Sequence, residues 1–500
     1  MSSDPDSAPG GDRRHWRVAI IGAGPGGLGL AVRLQRAGIH DYVIFEKSDG
    51  VGGTWRSNTY PGAACDVPSH LYSFSFDLNP NWSRSYAAQP EILEYFERSA
   101  DRFGIRPHLR CHTAIVDARW DDASVRWHLR SAAGEEFAAD VVVSALGLFN
   151  EPAVPDLPGL DAFAGPTIHT ARWDHDVDLT GQRVAVIGTG ASAAQVVPAI
   201  QAAVAHLDVF QRTPAWIVPR IDPAFTEEEK YGFSADPLAA RRYRHAIYKA
   251  FEDNVSIRLG DPKMAFLEEV ARGHLADQVH DPDLRGALTP DYAFGCTRVL
   301  VTSDYYPAVV SANVDLVTTA IERVSATGIV TVDGVEHPAD VVVLATGYRA
   351  SRYLHGLDVH GVGGRNLHAE WAEIATAHLG MTVAGYPNFF VFYGPNTNQG
   401  GNSIILVLEA QAAYVVRALR AMDAAGATVV DVRPEVMAAY NEELQAAFAG
   451  TVWTGGCRSY FHLADGRIAT QMPFTFAVYR QRIARFRPED FDLRAPTPTH

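Results

Sequence analysis

Two glycine-rich turns are the part of the sequence most able to do chemistry, and the first lies near the amino terminus. An apolar segment at residues 17–21 leads into Gly22, Gly24 and Gly27, which have the spacing G-x-G-x-x-G. Such a turn lets backbone N–H groups and the first turn of a helix approach a pyrophosphate closely. Glu46 ends the next apolar segment, where a carboxylate accepts hydrogen bonds from ribose hydroxyls. The first turn therefore predicts a dinucleotide with free ribose hydroxyls, either FAD or NAD.

The same pattern occurs a second time, with a residue of opposite charge at the ribose position. Gly188, Gly190 and Ala193 follow an apolar segment, and alanine is tolerated at the third position of the turn. Arg212, with Thr213 beside it, ends the next apolar segment. A guanidinium binds phosphate through charge-assisted hydrogen bonds, so this position favours a 2′-phosphate. A single glycine turn is weak evidence, whereas two copies in strand–turn–helix–strand order predict FAD at the first site and NADPH at the second.

Between the two turns lies a segment whose aromatic, glycine and histidine residues have a distinctive spacing. Phe163, Gly165, His169 and Trp173 are followed directly by Asp174. This order resembles the fingerprint of the Baeyer–Villiger monooxygenases, F-x-G-x-x-x-H-x-x-x-W followed by Pro or Asp. Related flavin monooxygenases that oxidise nitrogen or sulfur usually end this segment in another aromatic residue. By this resemblance His169 is a structural residue in the linker between the nucleotide-binding domains.

A second segment strengthens the resemblance and supplies candidate catalytic residues. Residues 52–66 match the family motif [A/G]-G-x-W-x-x-x-x-[F/Y]-P-[G/M]-x-x-x-D, with Trp55 at the tryptophan position and Asp66 at the end. Trp55 is expected to pack against the flavin or the core, whereas an acid in an apolar, aromatic neighbourhood needs a partner. Residues 295–306 resemble the family segment that carries the active-site arginine, here Arg298. The resemblance thus implies a buried Asp66–Arg298 pair beside the flavin.

The chemistry of the family explains why a fixed cation is expected there. In the family, NADPH reduces FAD, O2 then forms a peroxide at C4a of the flavin, and this peroxide attacks a ketone to give an ester or lactone. The Arg298 guanidinium would stabilise the negative charge of the peroxide and of the attacked carbonyl oxygen. The alternatives are a flavin monooxygenase that oxidises nitrogen or sulfur, for which Arg298 is unnecessary, and a non-enzymatic flavin redox sensor. For Arg298 considered alone, a surface salt bridge is the alternative.

Length and composition limit the class of protein. Five hundred residues suffice for two or three domains, and 47% hydrophobic with 20% charged residues is ordinary for a globular protein. A net charge of −15 argues against a nucleic-acid partner, and no apolar run reaches the roughly 20 residues that span a membrane. The four cysteines are widely separated, so we expect free thiols in a cytoplasmic protein. They are Cys65, Cys111, Cys296 and Cys457.

The predicted fold class is α/β, with two Rossmann-like dinucleotide-binding domains and a helical insertion in the second. The resemblance implies that the FAD domain consists of two segments flanking the NADPH domain, with the ketone bound where both domains and the insertion meet. The expected boundaries are a disordered tail at 1–14, the FAD-binding domain at 15–148 and 365–491, the NADPH-binding domain at 149–220 and 293–364, the insertion at 221–292, and a second tail at 492–500.

Further expectations concern the substrate pocket, nucleotide selectivity and metals. Trp453, Tyr460 and Phe461 are candidates for lining the pocket, with core packing as the alternative for each. Tyr460 stands where many family members have tryptophan, and Thr297 where many have a lysine that helps to bind the 2′-phosphate. The preference for NADPH is therefore assigned to Arg212. No metal site is predicted, and the sequence makes no prediction about oligomeric state.

Overall fold

The computed structural model describes residues 14–254, 256–457, 459, 461–463 and 465–495. The predicted amino-terminal tail up to residue 13, Tyr460 and residues 496–500 lie outside the described residues. Among the helices of the described residues, none has the length and apolar character needed to cross a membrane.

Strands and helices alternate along much of the chain. The strands are β1 (His15–Ile21), β2 (Tyr42–Phe45), β3 (Leu109–Arg110), β4 (Ile115–Asp121), β5 (Arg126–Ser131), β6 (Glu136–Ser144), β7 (Thr167–His169), β8 (Arg183–Ile187), β9 (His206–Phe210), β10 (Ile217–Val218), β11 (Leu300–Val301), β12 (Val314–Val317), β13 (Ile321–Val324), β14 (Gly328–Thr331), β15 (Glu336–Pro338), β16 (Val341–Leu344), β17 (Asp358–His360), β18 (Phe389–Val391), β19 (Val429–Val432) and β20 (Phe491–Arg494). The helices are α1 (Pro25–Arg36), α2 (Thr54–Ser57), α3 (Gln89–Arg102), α4 (Ala191–Ile200), α5 (Glu227–Ala235), α6 (Pro237–Asn254), α7 (Pro262–Gln278), α8 (Pro282–Ala287), α9 (Tyr305–Val309), α10 (Leu367–Glu370), α11 (Ile404–Ala425), α12 (Pro434–Ala446) and α13 (Phe476–Arg482).

The first sheet is built around β1 and has the order β17-β4-β5-β6-β1-β2-β3, with β18 also paired to β6. β1 is parallel to β2 and β6, which places Ile20 beside Ile44 and Val143. Val18 and Ile20 belong to the apolar cluster that contains α1 and α11, whereas Ala19 and Ile21 belong to the cluster on the other face. Because successive side chains of a strand point to opposite faces, burial on both faces explains the continuous apolar run in β1.

The second sheet has the order β12-β9-β8-β16-β7, and all of its strand pairs are parallel. Val184 and Val186 of β8 pack in the cluster that contains α4 and α9, and Ala185 and Ile187 pack against the cluster of the antiparallel β13-β14-β15 sheet. The order β8–α4–β9 repeats the order β1–α1–β2, with a glycine turn after the first strand of each unit. The predicted α/β class with two Rossmann-like units is confirmed.

Helices α5 to α8 lie within the segment expected to form the helical insertion. Thr226 and Glu229 form a capping box at the start of α5, in which each side chain bonds to the backbone N–H of the other residue. Asp281 caps α8 by accepting from the N–H groups of Asp283 and Leu284. These caps satisfy backbone groups that the first turn of a helix leaves unpaired.

Two strands differ from the expected boundaries. β17 lies in the first sheet, parallel to β4, although residues up to 364 were expected in the NADPH-binding domain. β20 pairs with β19 in antiparallel fashion, so residues 492–494, expected to begin the second tail, form part of a strand. Both differences arise from pairing with strands that are distant in the sequence, which local patterns do not indicate.

The expectation of four free thiols is wrong for two of the cysteines. Cys296 and Cys457 form a disulfide with a Cα–Cα distance of 6.0 Å, although 161 positions separate them in sequence. Cys65, which is buried, and Cys111, which is half-buried, are free thiols. The disulfide joins the segment just before Arg298 to the loop that follows Trp453.

Candidate functional site

A cavity of about 930 Å³ lies between the first sheet, α4 and the helical insertion. The predicted site residues that line it are Gly22, Gly24, Glu46, Trp55, Asp66 and Arg298. The other predicted cofactor-binding residues, all of them described, lie outside its lining: Gly27, Gly188, Gly190, Ala193, Arg212 and Thr213. The cavity therefore joins the first nucleotide turn to the candidate catalytic pair.

The first glycine turn is packed tightly between β1 and α1. A Cβ atom at Gly27 would lie 2.0 Å from the backbone oxygen of Gly22, so only glycine allows this approach of helix to turn. Glu46, which is 6% exposed, accepts a hydrogen bond at Oε2 from the backbone N of Ala23 at 2.7 Å. Its Oε1 accepts from the backbone N of Ser48 at 2.9 Å. Glu46 thus fixes the turn while it faces the cavity, and this cradle fits a dinucleotide pyrophosphate at the start of α1.

Arg298 and Asp66 form an ion pair on the cavity wall, in which Nη2 of Arg298 donates to Oδ2 of Asp66. Cys65, directly before Asp66, donates its backbone N–H to the backbone oxygen of Ala87, and Arg298 lies two residues before the start of β11. The Arg298 side chain is 38% exposed and that of Asp66 is 24% exposed. Arg298 is therefore exposed and Asp66 half-buried, rather than both being buried as expected, because both side chains border the cavity.

Trp55 also borders the cavity and is held in place by polar contacts. Its Nε1 donates to Oη of Tyr72 at 3.0 Å, and the two rings meet edge to face with centroids 5.5 Å apart. The side-chain amide of Gln89 donates to the backbone oxygen of Trp55. Trp55 is thus a buried part of the cavity wall, held by Tyr72 and Gln89.

The second glycine turn has an exposed cation beside it. Gly190 is the amino-terminal cap of α4, and Ala193 is buried in the first turn of that helix. Oγ1 of Thr189 donates to the backbone oxygen of Thr213 at 2.9 Å, which holds the residues after β9 against the turn. Arg212 is exposed at the same place. A guanidinium next to a helix amino terminus suits a phosphate group.

His169 lies at the end of β7 and is hydrogen-bonded on both ring nitrogens. Its Nδ1 accepts from the backbone N of Ala171 at 3.0 Å, and its Nε2 lies 3.3 Å from Oγ1 of Thr346 in the turn after β16. Burial lowers the pKa of His169, and the positive charge of Arg172 acts in the same direction. These contacts favour a neutral, structural histidine.

The remaining fingerprint residues lie in the second unit and do not line the cavity, although all are described. Phe163 packs against the cluster of β13 and β14, and Trp173 against the cluster that contains α4. Gly165 approaches the backbone oxygen of Asp340, which a Cβ atom would meet at 2.2 Å. Asp174 is exposed and accepts from the backbone N of Asp176 at 3.0 Å. The fingerprint thus shapes the linker rather than the cavity.

An apolar wall closes the cavity on the side of the insertion. Trp453 and Phe461, two of the three pocket candidates, line the cavity, and each is 3% exposed. The insertion contributes Phe251, Met264 and Leu267 to the same wall. Such a wall suits an apolar organic molecule beside the charged pair.

Two polar residues of the cavity were missed by sequence reasoning. Lys47 directly follows Glu46 and donates to Oδ1 of Asn150. Burial lowers the pKa of Lys47, while the nearby Glu46 carboxylate acts in the opposite direction. Gln195, on α4, contacts the segment that leads to Asp66. Lys47 could have been identified from the sequence, because it directly follows Glu46. The contacts of Gln195 could not, because they depend on how the two units pack together.

One group of potential metal ligands lies away from the cavity, among the described residues. His206, Asp208 and Asp315 offer ligand atoms within 4.8 Å of one another, at the edge where β9 begins. His206 pairs with Asp208 at 3.5 Å and with Asp315 at 3.4 Å, and His337 pairs with Asp208 at 3.6 Å. Burial raises the pKa of Asp208, which the histidines oppose. These ion pairs explain why the ligand atoms of His206, Asp208 and Asp315 lie close together.

Comparison with known proteins agrees with this geometry. Residues 19–228, which include both glycine turns, match the family described as pyridine nucleotide-disulphide oxidoreductase. The chain is 45% identical over 487 residues to a Baeyer–Villiger monooxygenase of Streptomyces coelicolor, covering 97% of this chain and 94% of the relative. It is 44% identical over 476 residues to a Baeyer–Villiger monooxygenase of Pseudomonas aeruginosa, covering 95% of this chain and 90% of the relative.

A solved structure is similar over the same length. The crystal structure of cyclohexanone monooxygenase from Rhodococcus sp. Phi1 bound to NADP+ has a TM-score of 0.88 with this structure and is 30% identical in sequence. The similarity covers 97% of this chain and 100% of that chain. Both sheets and the helical insertion are therefore included in the shared architecture.

Proposed function

The chain belongs to the Baeyer–Villiger monooxygenase family, and from this premise we propose that Asp66 and Arg298 are its catalytic pair. The protein is a flavin-dependent monooxygenase that uses FAD and NADPH. Its reaction inserts one oxygen atom from O2 beside the carbonyl of a ketone and yields an ester or lactone. The observation that carries the assignment of the pair is the Arg298–Asp66 hydrogen bond on the wall of the cavity that the first glycine turn also lines.

The first glycine turn is proposed to hold FAD. Gly22, Gly24 and Gly27 would let the backbone at the start of α1 approach the pyrophosphate, and Glu46 would accept hydrogen bonds from the ribose hydroxyls. Trp55 forms part of the wall beside the flavin. When bound there, FAD would supply the redox chemistry, the transfer of two electrons from NADPH to O2.

The second glycine turn is proposed to hold NADPH. Gly188, Gly190 and Ala193 provide the same approach to a pyrophosphate at the start of α4. Arg212 would bind the 2′-phosphate, with Thr213 positioned by the hydrogen bond from Thr189. The exposure of Arg212 supports this role, because a phosphate bound there requires no rearrangement of the core.

Arg298 is proposed to stabilise the negative charge that develops on the carbonyl oxygen as the ketone is attacked. A cation held in a fixed place is more effective than water, since its orientation does not change during the reaction. Asp66 orients the guanidinium and limits its mobility through the ion pair. The apolar wall formed by Trp453, Phe461 and the insertion excludes water from the reacting ketone.

The function is tested by product analysis of the purified protein with FAD, NADPH and isotopically labelled ¹⁸O2. Ketones, sulfides and amines are supplied separately, and products are identified by mass spectrometry, with reactions lacking NADPH as controls. We expect esters or lactones that carry one labelled oxygen. Formation of N- or S-oxides alone would favour a heteroatom-oxidising enzyme, and reduction of O2 to peroxide with every compound would favour a redox sensor.

A further inference from the structure

The side-chain amide of Gln195 connects the two nucleotide-binding units. Gln195 lies in α4, directly after the second glycine turn. Its Oε1 accepts from Oη of Tyr60 at 2.8 Å and from the backbone N of Ala64 at 3.5 Å. Its Nε2 donates to the backbone oxygen of Ala64 at 3.0 Å. The side-chain amide of Gln195 therefore bonds to both the N–H and the C=O of Ala64, in the same way as the backbone of a neighbouring β-strand.

The backbone of the Asp66 segment packs directly on α4 at the same point. Gly62 has a φ of +82°, and a Cβ atom there would lie 2.4 Å from the backbone oxygen of Gln195 and 3.0 Å from Cβ of Ala199. The ring of Tyr60 packs against the apolar cluster that contains α4. Glycine is thus required at residue 62 for this close approach, and the segment has little freedom to move independently of the helix.

The contact point is two residues from the candidate catalytic acid. Ala64 forms a β-bridge with Ala88, and the N of Cys65 donates to the O of Ala87, so the far side of the segment is fixed to the first unit. Asp66 follows directly and pairs with Arg298. Gln195 therefore links α4 to the backbone of the segment that leads to Asp66.

We propose that Gln195 is a positioning residue that couples nucleotide binding at the second glycine turn to the placement of the Asp66–Arg298 pair. A nucleotide phosphate at the start of α4 would fix the helix, and the amide of Gln195 would then fix the acid that holds the arginine. The inference rests on the proposed function of the pair. It assigns Gln195 no direct part in the oxidation of NADPH.

The test compares Gln195→Leu with the wild type and with Gln201→Leu, all as FAD-loaded proteins. Gln201 is a matched control, because it follows α4 and its amide donates to Oδ1 of Asn313, away from Asp66. Three quantities are measured: KM for NADPH, the rate of flavin reduction by NADPH without oxygen, and the ratio of ester to hydrogen peroxide formed per NADPH. A second variant, Gln195→Glu, keeps the acceptor for Tyr60 but loses the donor to Ala64, and it serves if the leucine variant does not fold.

We expect Gln195→Leu to lower the ratio of ester to peroxide about tenfold. Ester formation competes with the release of hydrogen peroxide, and the loss of one hydrogen bond changes the ratio of two such rates by about this factor. KM for NADPH and anaerobic flavin reduction should stay within about twofold of the wild type, since a factor of two corresponds to only about 0.4 kcal/mol. Gln201→Leu should keep the wild-type ratio. An unchanged ratio in both Gln195 variants would overturn the proposal, as would a slowing of flavin reduction equal to the loss of ester. Failure of the wild type to form any ester would instead overturn the proposed function.

Discussion

At the scale of the residue, the two glycine turns differ in the side chain that follows the second strand of each unit. This residue is Glu46 after β2 and Arg212 after β9. Glu46 is buried and hydrogen-bonded to the turn itself, whereas Arg212 is exposed beside the second turn. A buried carboxylate with two backbone donors suits neutral ribose hydroxyls, and an exposed guanidinium suits a phosphate. On the proposed assignment, the same backbone pattern serves two nucleotides through a single change of charge.

Arg212→Ala is expected to raise KM for NADPH about 10- to 100-fold, because charge-assisted hydrogen bonds contribute about 1.5–3 kcal/mol. KM for NADH should change little, since NADH lacks the 2′-phosphate. Steady-state kinetics with both nucleotides measure the two effects. Arg241→Ala is the control, because Arg241 is an exposed arginine of α6 and its loss changes the net charge equally. Equal changes of both KM values in Arg212→Ala would show that this residue does not contact the 2′-phosphate.

The residue types at the site were largely readable from the sequence, but their contacts were not. Gly22, Glu46 and Arg212 could be predicted from the sequence, because the glycine turns and the residues at the ribose position follow local strand–turn–helix patterns. The pairing of Asp66 with Arg298 was inferred from a family resemblance, because residues so far apart in sequence meet only through the packing of two sheets. The same limit explains why the contacts of Gln195 were missed.

At the scale of the element, the cavity wall is built from segments that are distant in sequence and are joined covalently. The Cys296–Cys457 disulfide ties the Arg298 segment to the loop that follows Trp453. Val452, directly before Trp453, also donates its backbone N–H to the backbone oxygen of Ile257 in the insertion. The spacing of the cysteines gave no indication of this bond, since disulfide connectivity depends on the three-dimensional proximity of the two thiols.

Cys457→Ser is expected to lower the stability of the protein by about 2–4 kcal/mol, because it removes a cross-link that restricts the unfolded chain. Thermal unfolding with and without dithiothreitol measures the effect. The reductant should lower the melting temperature of the wild type and leave that of the variant unchanged. Cys111→Ser is the control and should respond to reductant like the wild type, because Cys111 is a free thiol. Titration of four thiols in the denatured, unreduced wild type would contradict the disulfide.

At the scale of the whole molecule, the helical insertion is fastened to the first unit by an aromatic cluster and a buried ion pair. The His70 ring lies 4.6–5.2 Å, centroid to centroid, from the rings of Phe225, Phe233 and Tyr243. Arg244 of α6 pairs with Glu409 of α11 at 3.8 Å. Burial raises the pKa of Glu409, which the charge of Arg244 opposes. The insertion thus forms a wall of the cavity while it is anchored at a separate surface.

The docking of the insertion should weaken in acid because of His70. Burial lowers the pKa of His70 from 6.5 to about 4, so the unfolded chain binds a proton at this residue before the folded protein does. Neutral His70 therefore contributes fully to the free energy of unfolding above about pH 6.5. This contribution falls by up to about 3 kcal/mol as the pH decreases towards 4. His70→Phe keeps a ring but cannot take up a proton.

Thermal unfolding of wild type and His70→Phe between pH 4 and 7 tests this prediction. The difference in melting temperature between the variant and the wild type should increase in favour of the variant as the pH falls. His378, whose pKa burial also lowers to about 4, contributes equally to both proteins and cancels in the comparison. A difference that stays constant with pH would mean that His70 binds its proton normally in the folded protein.

The central claim is that the Arg298 guanidinium, held by Asp66, stabilises the attack on the ketone. The most direct measurement is the rate of ester formation by Arg298→Ala, taken together with the rate at which NADPH reduces its flavin without oxygen. We predict that flavin reduction persists while ester formation falls about 10²–10³-fold, the usual effect of removing one fixed donor to a developing oxyanion. Ester formation at the wild-type rate in this variant would contradict the account.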